Sequence, residues 1–600
     1  MIYERKDIDR KHTWATESIF PDAAAWEKEF AAVEALIPSL AKCKDTLAKG
    51  SDTLLAALQL RDSLEPRIDR LAVYASLLSD QDLRVSENQA LESKARSLAV
   101  NYSEATSWLL PELTAIPQTT LEGWMRESDA LALYRHYFDN LFRQKKHILS
   151  PREEELLAMT GEVRSVPSNA YSILKNADIK FPTIKDENNQ DVELSDSLYY
   201  QFMRKPQREI RQAAYEGILN TYRQYRNTSA ALLSGAVHGH ILTKKARGYS
   251  SCLHAALDAG NIPVAVYDTL IKTVNESLPL LHRYQGIRRR ALKLTEGVKP
   301  WDLFAPFVTG VKYDVSYEEA VSTLEQALAP LGKDYITAMM KGFNGRWVDV
   351  FPTKGKRSGA YSSGTFLTQP YILMNFHGGY EDMSTLAHEM GHSMHSYLSR
   401  GTQPYVYSEY DIFCAEVAST CNEILLQNYV LQRTSDPKTR LYLLVEFLEG
   451  VRGTVFRQTM FSEFEQRIHE WTEAGTPLTA DGLCAEYGAM NRRYYGPDFA
   501  HEEITDHEWI RIPHFYYNFY VYKYATSHCA ASNIAARILK GEAGAVDAYL
   551  SFLKGGSSKY PIDLLKVARV DMTTPQPIRD AMRIFAGMLD QAEQLLKETR

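Results

Sequence analysis

Cysteine is scarce, with six residues in 600 (Cys43, Cys252, Cys414, Cys421, Cys484 and Cys529) and no Cys-x-x-Cys pair. That excludes a disulfide framework and a thiolate metal site. Cys414 and Cys421, two turns apart on an expected helix, are separated by about 10.5 Å along its axis, beyond the roughly 6 Å of a disulfide. Reduced thiols point to a cytoplasmic home. No run of about 18 apolar residues is present, so no membrane span is expected. The opening stretch MIYERKDIDRKHTW lacks the apolar core of a signal peptide. Charge of one sign is not in excess: 68 Lys and Arg face 75 Asp and Glu, a net charge of −7. That balance speaks against a nucleic-acid partner held by bulk electrostatics. The short basic runs Arg143–Lys146 and Arg288–Arg290 read as solvated helix faces. Internal repeats and low-complexity tracts are missing too.

What is present is mostly helical pattern. Apolar residues recur at helical spacing from Ala23 on. Ser150, Pro151 and Glu153 form a capping box with proline at the first helical position. Extended segments are few. Ile179–Ser195 reads as a hairpin with a polar turn. Arg346–Pro352 and Pro370–Phe376 read as strands, and the Gly-, Ser- and Lys-rich stretch between them as a loop. Two strands, the Gly378-Gly379 turn and a helix in succession set a small sheet against that helix.

The helix carries TLAHEMGHSMHS, Thr385–Ser396. Asp382 is its expected N-cap and Gly401 its expected end. His388 and His392, four apart, share one helix face a turn from each other, with Glu389 beside them. This is the H-E-x-x-H arrangement, two metal ligands and a carboxylate placed to hold a water. Gly391 in mid-helix costs roughly 1 kcal/mol, which suggests a close approach by another backbone. Three protein ligands are needed. The position that a third histidine takes in the H-x-x-G-x-x-H extension is Leu398, which excludes that class. His395 points to a neighbouring face and is read as structural. A second helix, expected to be capped by Ser408 and Asp411, carries Glu416 and Glu423 on an otherwise apolar face, where a charge is costly unless paired or metal-bound. A helix, a short loop and an antiparallel helix bring Glu416 back to the level of the histidines, so Glu416 is the expected third ligand. Glu423 is the expected partner of an arginine or a histidine N–H. HEEITDH, His501–His507, looks metal-like but reads as an exposed acidic loop.

TLAHEMGHSMH followed by CAEVAS resembles the thimet-oligopeptidase-like zinc metallopeptidases of family M3, most closely the oligoendopeptidase F branch. The likeness extends through KRSGAYSSG and PYILMNFHGG before the motif and IPHFYYNFYVYKYATS after it. The resemblance implies a mainly α, two-lobed helical zincin with a small β-sheet beside the HExxH helix and a deep substrate channel. Residues 1–195 would form an N-terminal helical lobe ending in the hairpin, and 196–600 the catalytic domain. It implies one Zn2+ per chain on His388, His392 and Glu416, with Glu389 moving the water's proton to the leaving amine. The substrates implied are short unstructured peptides cut at internal bonds, with neither nucleic acid nor membrane as partner and no oligomeric state fixed. The histidine and five tyrosines of His514–Tyr524 are the candidate oxyanion donors. His514, Tyr517 and Tyr524 are assigned to catalysis, the two tyrosines near one helical stripe with Tyr520 and Tyr522 diverging from it. Tyr520, Asn375, His377, Gly378 and Gly379 are assigned to substrate, with PYILMNF as the edge strand to which a peptide adds. The alternatives are a metallocarboxypeptidase or dipeptidyl carboxypeptidase, which needs a cationic recess for the substrate C-terminus, and a peptide-binding scaffold with a structural zinc, which would have no use for Glu389.

Overall fold

The computed structural model describes residues Tyr3–Glu598. The described residues are mainly α-helical, with five short strands among them: β1 (Thr183–Lys185), β2 (Asp191–Glu193), β3 (Val348–Asp349), β4 (Tyr361–Ser363) and β5 (Tyr371–Leu373). None of the described helices is long and apolar enough to cross a membrane. All six cysteines are free.

Packing sorts the chain into two compact units: Met1–Lys146 with Lys312–Val430 and Ile534–Val570, and His147–Val311 with Leu431–Asn533 and Asp571–Arg600. These units do not follow chain order. The boundary expected at residue 195, and the hairpin before it, fall inside the second unit.

In the first unit the long helix Ser51–Gln81 packs on Ser86–Thr106, and their apolar faces close over Trp14, Trp26 and Tyr74. The same core reaches Tyr371 and Leu373 of β5. Trp14 Nε1 donates to the Ile372 carbonyl at 2.7 Å, which satisfies the indole while its ring stays buried. The sheet runs in the order β3-β5-β4, with β3 parallel and β4 antiparallel to β5. Two expectations are corrected here. Tyr361–Ser363, read as loop, is a strand, and Tyr371–Leu373, read as the edge, is the central strand. Its three residues are all buried, as a strand covered on both faces requires. β4 is built from tyrosine and serine, whose half-buried pattern gives little apolar alternation to read.

In the second unit β1 and β2 pair antiparallel, as the hairpin pattern predicts. Helix Pro151–Met159 starts on the expected capping box, Ser150 Oγ accepting from Glu153 N and Glu153 Oε2 accepting from Ser150 N. Two surface readings are overturned. Arg288 is buried, bonded to Glu449 and to the Ala305 carbonyl, while Arg289 and Arg290 keep the expected exposure. The HEEITDH stretch is largely a 3-10 segment, Glu503–Arg511, with His507 and Glu508 buried. Within the stretch Glu503 is exposed as expected, while Asp506 pairs with His501 and Glu502 with Lys299; just beyond it Glu508 pairs with Arg457.

Candidate active site

The motif lies on α1 (Tyr380–Thr402), and the acidic helix that follows is α2 (Ile412–Arg433). The start of α1 is two residues earlier than Asp382. Asp382 instead sits in the first turn, where its Oδ2 accepts from Gly379 N at 2.9 Å and His377 N at 3.1 Å. Gly401 lies inside the helix. At α2, Asp411 alone caps, its Oδ1 accepting from Phe413 N at 2.7 Å, whereas the Ser408 hydroxyl donates back to the Tyr405 carbonyl.

The two helices pair in opposite directions and touch at Gly391. A Cβ there would stand 2.6 Å from Ser419 Cα and 2.7 Å from the Ala418 carbonyl oxygen, so only glycine fits. Asn422 Nδ2 bonds the Ala387 carbonyl across the same seam, and Tyr335 OH donates to Asn422 Oδ1. This contact sets Glu416 opposite the histidines.

Nε2 of His388 and of His392 lie 3.2 Å apart, and Glu416 Oε2 is 3.3 Å from the first and 3.6 Å from the second. Ligands about 2.0–2.1 Å from a tetrahedral ion stand roughly 3.4 Å from one another. The donor set therefore fits a single zinc-sized cation and leaves a fourth position free. Among the described residues this is the one group of three such side chains close enough to share an ion. Behind it, Glu423 Oε1 lies 3.4 Å from His388 Nδ1, the carboxylate–histidine pairing that orients a metal-binding imidazole. Ser419 Oγ donates to Glu416 Oε2 at 3.0 Å.

Charge is distributed unevenly in this cluster. Burial opposes a proton on His388, but the Glu423 and Glu416 carboxylates outweigh it and hold that imidazole well above its ordinary pKa. Burial, reinforced by the charge of His388, depresses His392 to about 4. Burial would raise Glu416, yet the hydrogen bond to His388 and the nearby His392 bring it down to about 2. Glu389 is pushed up to about 7 by burial and by the charges of Glu416 and Glu423, against the pull of His388 and of the Ser362 backbone N–H. A carboxylate poised near neutral pH suits general-base work.

Ser362 belongs to β4, the edge strand next to α1. Its hydroxyl also bonds Ser393 Oγ of α1 at 2.8 Å. The residues named for substrate contact lie at the other end of the sheet's connection to α1. Asn375 Nδ2 is engaged by the carbonyls of Arg357 and Gly359, at 3.0 and 2.8 Å. His377 is exposed. Gly378 turns the chain at φ +99°, with its carbonyl on Val315 N, and Gly379 precedes α1. His395 is buried, stacked on Tyr410 with ring centroids 3.6 Å apart, a structural position as expected.

His514, Tyr517, Tyr520 and Tyr524 belong to the second unit. Their segment is not the continuous helix assumed from the sequence. A 3-10 turn, Pro513–Tyr516, gives way to Asn518 and Phe519 at φ +51° and +60°, and regular helix resumes only at Tyr522. The four rings nevertheless form one cluster. Tyr517 is 5.4 Å from His514 and 6.3 Å from Tyr520, and Tyr520 is 5.5 Å from Tyr524. Tyr520 thus joins the group from which it was expected to diverge. Tyr522 does diverge, packing on Tyr267, and Tyr516 stacks on Tyr171.

Sequence reasoning missed Glu465. This residue is fully buried, and its Oε1 accepts from Phe519 N at 2.6 Å, pinning the left-handed pair that shapes the tyrosine segment. The signal was available: an acid within the apolar pattern FSEFEQRIH, the same kind of mark that singled out Glu416.

A His-His-Glu cluster on two opposed helices, with a buried carboxylate beside the first histidine, defines a metallopeptidase of the HExxH class. The comparisons sharpen this. Residues 201–584 match the model of peptidase family M3, and residues 112–181 match that of oligopeptidase F. Oligopeptidase PepF of Bacillus subtilis is 46% identical over 597 residues, covering 100% of this chain and 89% of that protein. An oligoendopeptidase F homolog of Lactococcus lactis is 39% identical over 600 residues, covering 100% and 99%. The crystal structure of oligoendopeptidase-F from Enterococcus faecium is 36% identical, covers 95% of this chain and 99% of that one, and superposes with a TM-score of 0.75. The chain belongs to peptidase family M3, and it is a metalloendopeptidase acting on oligopeptides.

Proposed function

We propose that the chain is a zinc-dependent endopeptidase that hydrolyses internal bonds of short, unstructured peptides, with one Zn2+ held by His388, His392 and Glu416. The observation that carries this is the spacing of the three ligand atoms, 3.2 to 3.6 Å, with Glu389 next in the chain to the first ligand. When bound, Zn2+ supplies a Lewis acid that polarises the scissile carbonyl and brings a water's pKa to about 7. The side chains do the rest. Glu389 accepts the proton of the attacking water on its carboxylate and delivers it to the leaving amine nitrogen. Burial of Glu389 beside two further carboxylates supports this role, because it raises the affinity for the proton in transit. His514, Tyr517 and Tyr524 donate hydrogen bonds to the oxyanion. Tyr520, His377, Gly378 and Gly379 contact the peptide, and Asn375 acts by holding the Arg357–Gly359 turn. The substrate backbone pairs with the edge strand β4, an assignment transferred from β5. Chain order supports a functional division near residue 195, since the family M3 match begins at residue 201.

The test is a digest of one defined peptide of about ten residues, a length within the range the family resemblance implies, by wild type and Glu389→Gln. The wild type is expected to release fragments from internal cuts, and the amide variant, which cannot take the proton, to be slower by at least about 10³-fold. Stepwise trimming from the C-terminus would favour the carboxypeptidase reading, and activity of Glu389→Gln within tenfold of wild type would remove Glu389 as the base.

A further inference from the structure

β4 is three residues long and has a neighbouring strand on one side only. Across the ladder Ser362 faces Ile372 of β5. Ile372 N donates to the Trp347 carbonyl, and the Ile372 carbonyl accepts from Trp14 Nε1, so both backbone groups of that residue are turned away from β4. Opposed residues of an antiparallel pair alternate between exchanging both backbone bonds and exchanging none. Ser362 and Ile372 therefore exchange none, and the Ser362 N–H points out from the open edge of the sheet. That N–H is the one that meets the Glu389 carboxylate.

The ladder to β5 does not set how this edge stands over α1. Successive side chains of a strand point to opposite faces, and those of β4 are held from both. Tyr361 OH donates to Asp80 Oδ2 at 2.6 Å, on the long helix Ser51–Gln81. Ser362 points the other way, and its Oγ lies 2.8 Å from Ser393 Oγ. Just past the strand, Arg400 Nη2 donates to the Gly364 carbonyl at 3.1 Å. Ser393 is fully buried and stands four residues after Glu389 on α1. The two side chains therefore share one face of the helix, a turn apart. Ser362 spans both turns, with its amide on Glu389 and its hydroxyl on Ser393. A serine inside a helix commonly bonds back to a carbonyl of its own helix, whereas this one reaches across to the sheet.

A glutamate swings on three side-chain torsions, and a catalytic group has to be held within about 0.5 Å of its working position. We propose that Ser393 is a positioning residue for the general base: its hydroxyl bond to Ser362 sets β4 against α1 and so fixes the backbone N–H that orients the Glu389 carboxylate. Ser393 moves no proton itself. The inference deepens the proposed peptidase reading and rests on the role given there to Glu389. All of the residues involved belong to the first unit. Losing the bond leaves the β5 ladder and the Tyr361–Asp80 contact in place, so the strand stays on the sheet while the aim of the carboxylate is lost. The effect therefore falls on kcat and not on KM or metal content.

The experiment is a mutant cycle on one defined peptide, with kcat and KM measured beside zinc content and thermal midpoint. Ser393→Ala and Ser362→Ala are each expected to lower kcat by at least about fivefold, with KM within about threefold and zinc still about one per chain. Both remove the same bond, so the double variant should be no more than about twofold slower than the slower single. Ser362→Thr keeps a hydroxyl and is expected to be at least about threefold faster than Ser362→Ala. In a Glu389→Gln background no base is left to orient, and Ser393→Ala should change the residual rate by less than about twofold. Should Ser393→Ala not fold, Ser362→Ala breaks the bond from its half-buried end. A kcat within about twofold of wild type in the folded alanine variants, multiplicative losses in the double, or an undiminished loss in the Glu389→Gln background would each overturn the proposal. Wild-type kcat in Ser393→Ala beside an inactive Glu389→Gln removes the positioning role and leaves the base, whereas an active Glu389→Gln removes both.

Discussion

Glu465 carries a carboxyl group in a fully buried position, and burial pushes its pKa up to about 8, against the partial relief of the Phe519 N–H. Because this lies above the 4.5 of an unperturbed glutamate, the folded chain holds a proton that the unfolded chain releases. The neutral group's contribution to stability is present in full below about pH 4.5 and is lost as pH rises through about 8, since stability falls wherever the folded state binds more protons. Glu465→Gln keeps an acceptor oxygen for Phe519 N and removes the titration. The thermal midpoint of the variant relative to wild type is therefore expected to be higher at pH 8 than at pH 5. Equal differences at the two pH values would mean that Glu465 is not held protonated. At this scale the grouping of His388, His392 and Glu416 was legible because its signals are local: two histidines a turn apart, and an acid on an apolar helix face. The backbone N–H of Ser362 beside Glu389 was not legible, because no side-chain pattern announces where a main-chain donor points.

Gly391 joins residue to element. Its missing Cβ lets α1 lie against the Ala418–Ser419 backbone of α2, and this approach brings Glu416 within reach of His388 and His392. Gly391→Ala forces backbone against a methyl group, which neither helix can relieve by a rotamer change. Overpacking of this kind costs about 1–3 kcal/mol. The variant is expected to lose thermal stability and to bind zinc at least about tenfold more weakly, as a displaced ligand helix implies. Metal affinity unchanged from wild type would show that the helices separate without moving Glu416. The glycine's purpose could be anticipated from its cost in a helix interior, but its partner could not, since that depends on where α2 packs. The element boundaries went astray for related reasons. β4 lacks apolar alternation, and its pairing with β5 is a tertiary contact. The His514–Tyr524 segment has the aromatic content of a buried helix, yet two consecutive left-handed residues, Asn518 and Phe519, interrupt it. Asn518 is of a type that tolerates a positive φ, but nothing in the sequence announces one at Phe519.

Across the whole molecule, the mainly α character and the family were visible from end to end, because motifs recur in order through the chain. The compact units were not visible. Each is assembled from three separated stretches of chain, and a boundary read along the sequence describes chain order only. The restriction to short peptides that the resemblance implies belongs to this scale. The proposed pairing with β4 would require an extended strand, about 3.3 Å per residue, and a folded protein would first have to unfold at a cost of about 5–15 kcal/mol. Turnover per susceptible bond is expected to be highest for peptides of roughly 6–20 residues, a range the family resemblance implies for substrates that bind as strands, and to fall for an unfolded casein-like chain assayed beside them. Equal turnover at every length would remove the size restriction.

The central claim is that three side chains hold one catalytic zinc, and it is tested most directly by metal content after dialysis. Wild type and Glu389→Gln are expected to retain about one Zn2+ per chain, as a site with three protein ligands does, and His388→Ala and Glu416→Ala to retain close to none. Stoichiometric zinc in both alanine variants would contradict the account.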